Sequence, residues 1–233
     1  RYRDFLEAKL SDTVVEELNG ATDEILGLLE DPQRSDDWDR RGLVVGHVQS
    51  GKTSNYSGLI CKAADAGYKI IIVLAGMHNN LRSQTQMRLE ESFLGYETTI
   101  DRDPGMPIGV AEFGEDLKTN SATTRAENGD FNKAIAKHFH GISPEERPWL
   151  FVVKKQKTVL TELLNWIRTR VADSTDSADG RKLVTKLPLL VIDDEADHAS
   201  VDTGEQMFND DGTPDEEHQP KTINSLIRQV LHA

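Results

Sequence analysis

Eight consecutive residues form the pattern in this chain of 233 residues that is best suited to chemistry. Residues 46–53 read GHVQSGKT, with glycine at the first and sixth positions, lysine at the seventh and threonine at the eighth. The glycines let the backbone curl so that successive amides point at phosphate oxygens. Lys52 would neutralise phosphate charge, and Thr53 would offer a hydroxyl to Mg²⁺. The residues predicted to bind the phosphates of a nucleotide are Gly46, Gln49, Ser50, Gly51, Lys52 and Thr53.

A second pattern places acidic residues directly after an apolar run. Residues 189–192 read LLVI and are followed by Asp193, Asp194 and Glu195. Ligands of parallel sheets bind at the carboxyl ends of the strands, so this position suits a nucleotide with its metal. Asp194 would hold Mg²⁺ through water, and Glu195 would polarise the attacking water as general base. Asp193 stays ambiguous, because a shift of one residue would exchange the roles within the acidic pair.

The elements that must position these residues alternate between helix and strand. Apolar residues at helical spacing predict a helix over 4–29, with Gly20 as an interruption. A short apolar run at 43–45 predicts a buried strand immediately before the glycine-lysine motif, and residues 52–66 predict the helix after it. The further strands are predicted at 68–75, 149–153 and 187–192, and the further helices at 81–93, 131–139, 158–171 and 223–231.

This alternation predicts an α/β fold in three layers, with a mostly parallel sheet between helices. Residues 1–39 form a helical extension in this interpretation, and residues 40–233 form the nucleotide-binding domain. Residues 96–148 are polar and nearly without periodicity, so we treat them as a poorly defined insert. The acidic stretch 202–220, which contains glycine and proline, is expected to be mobile.

The chain resembles the Z1 domain family, a group of helicase-like ATPases of bacterial restriction-type systems that are described as endonucleases. Residues 194–197 spell the D-E-A-D box of superfamily-two helicases. The blocks that carry the resemblance lie between about residues 40 and 231 and are 42–46, 48–53, 62–68, 81–86, 152–155 and 223–228. The resemblance implies a P-loop NTPase with the RecA-like fold, in which 46–53 is the Walker A motif and 189–194 the Walker B motif. It also implies ATP and Mg²⁺ as cofactors.

The same resemblance implies a nucleic-acid partner, with DNA preferred over RNA. In helicase-like motors the turn after the second strand touches the nucleic-acid backbone, and six donors follow that strand here: Asn79, Asn80, Arg82, Gln84, Gln86 and Arg88. An asparagine-capped helix with a solvated face explains them equally well. Two further candidates, Lys154 and Lys155, lie just past a predicted strand end. They could contact nucleic acid in the same way or simply form a charged, solvated strand end. Such motors usually take an arginine finger from a second RecA-like domain or a partner subunit.

Composition narrows the class of protein. Lys and Arg number 27 against 40 Asp and Glu, which gives a net charge of -13 and argues against a protein that coats nucleic acid. Seven acidic residues without a Lys or Arg lie between 202 and 217, so a local basic track elsewhere stays compatible with this charge.

A mean hydropathy of -0.52 without a long apolar run predicts no membrane span. The single cysteine, Cys61, favours a reducing, cytoplasmic setting.

Two other functions compete with ATP hydrolysis by a nucleic-acid motor. A nucleotide-gated switch could control a separate effector without translocating. A small-molecule kinase is disfavoured, because a water-activating glutamate beside the Mg²⁺ aspartate suits hydrolysis better than transfer. For a nuclease, the nearest metal-binding set is Asp103, Asp116 and Lys118, but no apolar strand precedes Asp116. We therefore expect no endonuclease activity from these 233 residues.

Overall fold

The computed structural model describes residues 1–35, 38–46, 51–98, 107–114, 119–132, 134–135, 147–197, 200–201 and 222–232. The helices are α1 (Tyr2–Glu7), α2 (Asp12–Leu28), α3 (Lys52–Ala66), α4 (Asn79–Leu89), α5 (Lys157–Trp166) and α6 (Thr222–Leu231). The strands are β1 (Ile70–Ala75), β2 (Asn120–Ser121), β3 (Trp149–Val153), β4 (Ser174–Thr175), β5 (Lys182–Leu183) and β6 (Leu189–Asp194). Two π-helical turns, Glu90–Leu94 and Ile167–Val171, extend α4 and α5, and Gly109–Phe113 forms a 3₁₀ helix.

The main sheet contains four strands in the order β2-β3-β1-β6, and every pair in it is parallel. β1 lies in the middle, where Ile70 is opposite Trp149 of β3 and Leu189 of β6. Ala75, the last residue of β1, is opposite Asp194 of β6. Because parallel strands end at the same edge, the turn after β1 and the acidic residues of β6 meet there. β4 and β5 form a separate antiparallel hairpin.

Helices cover both faces of this sheet, which gives three layers. Side chains alternate between the two faces along a strand, so Ile72 and Leu74 of β1 pack with α5 and α6. Ile71 and Val73 face the other way and pack with α3 and α4. The β1 side chains are buried along the whole strand. Each fully buried aliphatic side chain contributes about 1.5–3 kcal/mol, so this apolar sheet is the main source of stability.

Most of the predicted elements are confirmed. The helix at 52–66 has the predicted bounds, and the strands at 149–153 and near 187–192 are present. The helices predicted at 81–93, 158–171 and 223–231 correspond to α4, α5 with its π turn, and α6. The supposed insert 96–148 is more structured than expected, because it supplies β2 to the sheet and Phe131 to the core. The 202–220 segment and most of the 131–139 helix lie outside the described residues.

The N-terminal prediction is wrong about where the helix is interrupted. The break falls between Glu7 and Asp12, and α2 continues through Gly20 to Leu28. A single glycine costs a helix only about 1 kcal/mol relative to alanine. The contacts of α2 with α3 outweigh that cost, as shown by Thr22, which is 1% exposed and packs close to Gly58.

The buried strand predicted at 43–45 is also wrong. The structure has no strand there, and Leu43, Val44 and Val45 are 82%, 59% and 85% exposed. A strand needs a neighbour to satisfy its backbone groups, and in the described part of the chain β6 pairs only with β1. The apolar composition of three residues is too little to decide between strand and coil.

Candidate functional site

The start of α3 faces the end of β6. The Tyr56 hydroxyl donates to Asp194 Oδ2 at 3.4 Å, across 138 residues of sequence. Tyr56 lies three residues after Thr53, so both project from the same face of the helix, and the tyrosine hydroxyl interacts with the Thr53 side chain as well. Burial, and then the charge of Asp194, raise the pKa of Tyr56 to about 12, so the phenol remains a donor at neutral pH.

The N-terminus of α3 carries the described end of the glycine-lysine motif. Gly51 precedes the helix with a φ of 75°, a left-handed conformation that glycine adopts without strain. Within the described residues no side chain caps the first amides of the helix, and its first turn contains no acid. Lys52 at the first position is exposed. Gln49 and Ser50 of the predicted phosphate loop lie outside the described residues.

Arg88 of α4 reaches the predicted metal-binding threonine. Its Nη1 donates to Thr53 Oγ1 at 3.1 Å, and the arginine is exposed. From sequence, Arg88 was a candidate nucleic-acid donor. The structure instead places its side chain beside Thr53 of the nucleotide motif. No local signal could have found it, because the two residues are 35 positions apart and belong to different helices.

The two aspartates at the end of β6 have different neighbours. Asp194 Oδ1 accepts a hydrogen bond from the Glu195 amide at 3.1 Å, and its other oxygen faces Tyr56 on α3. Asp193 Oδ1 lies 2.6 Å from the ammonium of Lys155, which follows β3. Since adjacent side chains on a strand point to opposite faces, only one of the pair can face the glycine-lysine motif. In this structure Asp194 is the one that faces α3, through Tyr56.

Lys155 is fully buried, at 0% exposure. Besides the ion pair with Asp193, its Nζ donates to the carbonyl oxygen of Glu195 at 2.6 Å. Both interpretations offered from sequence, a nucleic-acid contact and a solvated strand end, are therefore wrong for Lys155. A buried ammonium requires a paired charge, and here the acidic turn supplies it.

Glu195 turns the chain back over the end of β1. Its φ of 55° is the one positive value found among non-glycine residues of the described chain. A Cβ at Gly76, just after β1, would meet Glu195 Oε2 at 3.2 Å. The glutamate is nevertheless exposed. Its carboxylate thus lies at the sheet edge within reach of solvent.

The donors on α4 divide into an exposed and a buried set. Asn79, Asn80, Gln84 and Arg88 are exposed, whereas Arg82 and Gln86 are 0% exposed. Arg82 Nη2 donates to the carbonyl oxygen of Ala126, and Gln86 accepts from the Thr123 hydroxyl at 2.7 Å. Burial lowers the pKa of Arg82. These two side chains hold the 119–130 segment and are unavailable to a nucleic acid.

A polar cleft opens beside the exposed donors at the carboxyl ends of β1 and β3. Its volume is about 600 Å³, and Asn79, Lys154 and Asp130 line it. The Lys154 ammonium donates to Asn79 Oδ1 at 2.5 Å and lies 3.8 Å from Asp130 Oδ2. Lys154, unlike Lys155, therefore stays accessible at the sheet edge.

Trp38 packs on the domain. Its ring meets the ring of Tyr68 edge to face at 6.0 Å, and the neighbouring Arg40 donates to Glu30 at 3.0 Å. Trp38 is therefore held by aromatic packing within the domain.

The site offers oxygen ligands for a metal that arrives with a nucleotide. Within the described residues no group of three or more His, Cys, Asp or Glu side chains could hold a metal ion by itself. Mg²⁺ bound to a nucleotide needs few protein ligands, since phosphates and waters fill its other positions. The Asp194 carboxylate and the Thr53 hydroxyl, both in contact with Tyr56, are hard oxygen donors and fit that role.

Comparisons with protein-family models, curated proteins and solved structures found no match to this chain. Among the described residues, no helix has the length and apolar character needed to cross a membrane.

Proposed function

We propose that this chain is the ATP-binding and ATP-hydrolysing core of a helicase-like protein that acts with nucleic acid. The proposal includes a P-loop NTPase fold of the RecA-like type and membership of the Z1 domain family. One contact carries it, the hydrogen bond from Tyr56 on α3 to Asp194 at the end of β6. This contact joins the helix after the glycine-lysine motif to the acidic strand end. A cationic helix start and a carboxylate at one sheet edge suit the phosphates and metal of a nucleotide.

In this proposal each residue has a separate task. The amides around Gly51 and the ammonium of Lys52 bind the phosphates, and the Thr53 hydroxyl and Asp194 carboxylate hold Mg²⁺. Bound there, Mg²⁺ supplies positive charge to the phosphate oxygens during transfer. Glu195 orients the attacking water and accepts its proton. The exposed position of Glu195 at the sheet edge supports this last role.

The binding half of the proposal is tested by Lys52→Ala. The exposed lysine has no packing role, so the variant should fold normally and bind labelled ATP at least about 100-fold more weakly, because charge-assisted hydrogen bonds to phosphate are lost. Lys182→Ala, in the exposed β4–β5 hairpin, is the control and should bind like the wild type. Equal affinity of wild type and Lys52→Ala would overturn the proposed nucleotide site.

The chemical half is tested at the acidic turn. Glu195→Gln keeps the size of the side chain but cannot accept a proton, so hydrolysis should fall by roughly 10²-fold while ATP affinity is retained. Asp194→Asn should instead weaken Mg²⁺-dependent binding. If Asp193→Asn abolishes that binding and Asp194→Asn spares it, the two aspartates exchange roles.

Partners and location belong to the same proposal. The nucleic acid, preferably DNA, would meet the exposed donors near Asn79 and Lys154 at the sheet edge. An arginine finger would come from a second RecA-like domain or a partner subunit. A cytoplasmic location remains a prediction from the single cysteine. Endonuclease activity is not part of the proposal, and its candidates Asp103, Asp116 and Lys118 lie outside the described residues.

A further inference from the structure

One buried residue connects the ends of three strands at the candidate site, through its backbone and its side chain. Lys155 follows β3, and its backbone amide donates to the carbonyl oxygen of Gly76 after β1 at 2.8 Å. Its ammonium lies 2.6 Å from Asp193 Oδ1 and donates to the Glu195 carbonyl oxygen at 2.6 Å. The ends of β1, β3 and β6 are thus fixed to one another through Lys155, which is 0% exposed.

The hydrogen bond from Lys155 to the Glu195 carbonyl holds the backbone of Glu195, which is the candidate general base. Glu195 has a φ of 55°, a conformation that residues with a Cβ rarely adopt. Such a conformation persists only where the surroundings hold it in place. The hydrogen bond from Lys155 to the Glu195 carbonyl does this from inside the protein, whereas Gly76 leaves room for the carboxylate on the outside.

We propose that Lys155 is a positioning residue for ATP hydrolysis, which holds the turn that presents the Glu195 carboxylate to the attacking water. Lys155 acts through Glu195 and is itself buried below the sheet edge. The inference rests on the proposed function. The proposed role is separate from the ion pair between Lys155 and Asp193. Removing the Lys155 ammonium would remove the hydrogen bond to the Glu195 carbonyl, whereas removing the charge of Asp193 would keep it.

This difference allows a test with three variants. Lys155→Met removes the donor and leaves Asp193 as an unpaired carboxylate, whereas Asp193→Asn keeps the donor. The double variant removes both charges, and a buried ion pair replaced by neutral side chains commonly leaves a protein folded. For each variant we would measure the melting temperature, the affinity for ATP and the single-turnover rate of hydrolysis per folded molecule.

If Lys155 positions Glu195, the hydrolysis rate should fall while the melting temperature and the affinity for ATP stay nearly the same. The double variant should melt at or above the temperature of Asp193→Asn and bind ATP within about threefold of it, yet hydrolyse ATP at least about 10-fold more slowly, because small displacements of a catalytic group are costly. Equal hydrolysis rates for the double variant and Asp193→Asn would overturn the inference, since Lys155 would then serve stability alone. Absence of ATP binding by the wild type would overturn the proposed function itself, and this inference with it.

Discussion

At the scale of single residues, the Thr53 hydroxyl and its guanidinium neighbour bear most directly on catalysis. Arg88 donates to Thr53 Oγ1 at 3.1 Å and is otherwise exposed. Phosphoryl transfer develops charge on the phosphate oxygens, and an arginine at that point accelerates it strongly. Arg88 is therefore a cation of the same chain that lies beside a residue of the proposed nucleotide site.

We predict that Arg88→Ala slows hydrolysis by about 10-fold to 100-fold and weakens ATP binding less, because the guanidinium interacts most strongly with developing charge. The melting temperature should change little, since Arg88 is exposed. Arg181→Ala in the β4–β5 turn is the matched control. Unchanged hydrolysis by Arg88→Ala would leave the partner-supplied arginine as the source of that charge.

Residue types and spacing predict which chemical groups belong to the candidate site, and that assignment stays a prediction. They could not predict which charged side chains are buried. Lys155 and its neighbour Lys154 look alike in sequence, and one is 0% exposed while the other lines a cleft. Arg82 likewise looks like the exposed donors around it. Burial of a charged side chain depends on a partner from another element, as Asp193 shows for Lys155. Such long-range pairing leaves no local pattern.

At the scale of elements, the sequence predicted long periodic segments well. α3 has the predicted bounds, and β1 and β3 follow from their β-branched and aromatic composition. β2 was missed because it has only two residues, both polar. The 43–45 segment was predicted as a strand from its short apolar run, although three apolar residues carry little evidence of their own.

A pair of substitutions tests that correction. Val45 is 85% exposed, so Val45→Asp should change the free energy of unfolding by less than about 0.5 kcal/mol. Val73 of β1 is fully buried, so Val73→Asp should lower it by several kcal/mol or prevent folding, because a buried charge lacks a partner. Urea denaturation measures both. A loss of several kcal/mol on Val45→Asp would instead place residues 43–45 in the sheet.

At the scale of the whole molecule, the net charge of -13 limits how this chain can meet nucleic acid. The net negative charge repels phosphates at long range, so binding depends on a local set of donors at the sheet edge. The contacts of such donors with phosphate weaken as the salt concentration rises. This condition separates the proposed motor from the nucleotide-gated switch, because only the motor requires contact between the nucleotide site and nucleic acid.

We predict that DNA increases the ATP hydrolysis rate several-fold at about 50 mM salt, and that the increase disappears as salt rises toward about 200 mM. Parallel assays with DNA, with RNA and without nucleic acid measure the effect. Lys154→Ala should reduce the stimulation while sparing the basal rate, because Lys154 contacts Asn79 beside the cleft. Hydrolysis that is indifferent to nucleic acid at every salt concentration would favour the switch.

The left-handed backbone of Glu195 also has an evolutionary consequence. Glycine adopts this conformation freely, so Glu195→Gly would relieve strain on the order of 1 kcal/mol. Selection for heat resistance alone would therefore replace this glutamate early, at the expense of the proton acceptor. Laboratory evolution of a more stable variant should accordingly include a screen for turnover, since the strained position is one on which the proposed chemistry depends.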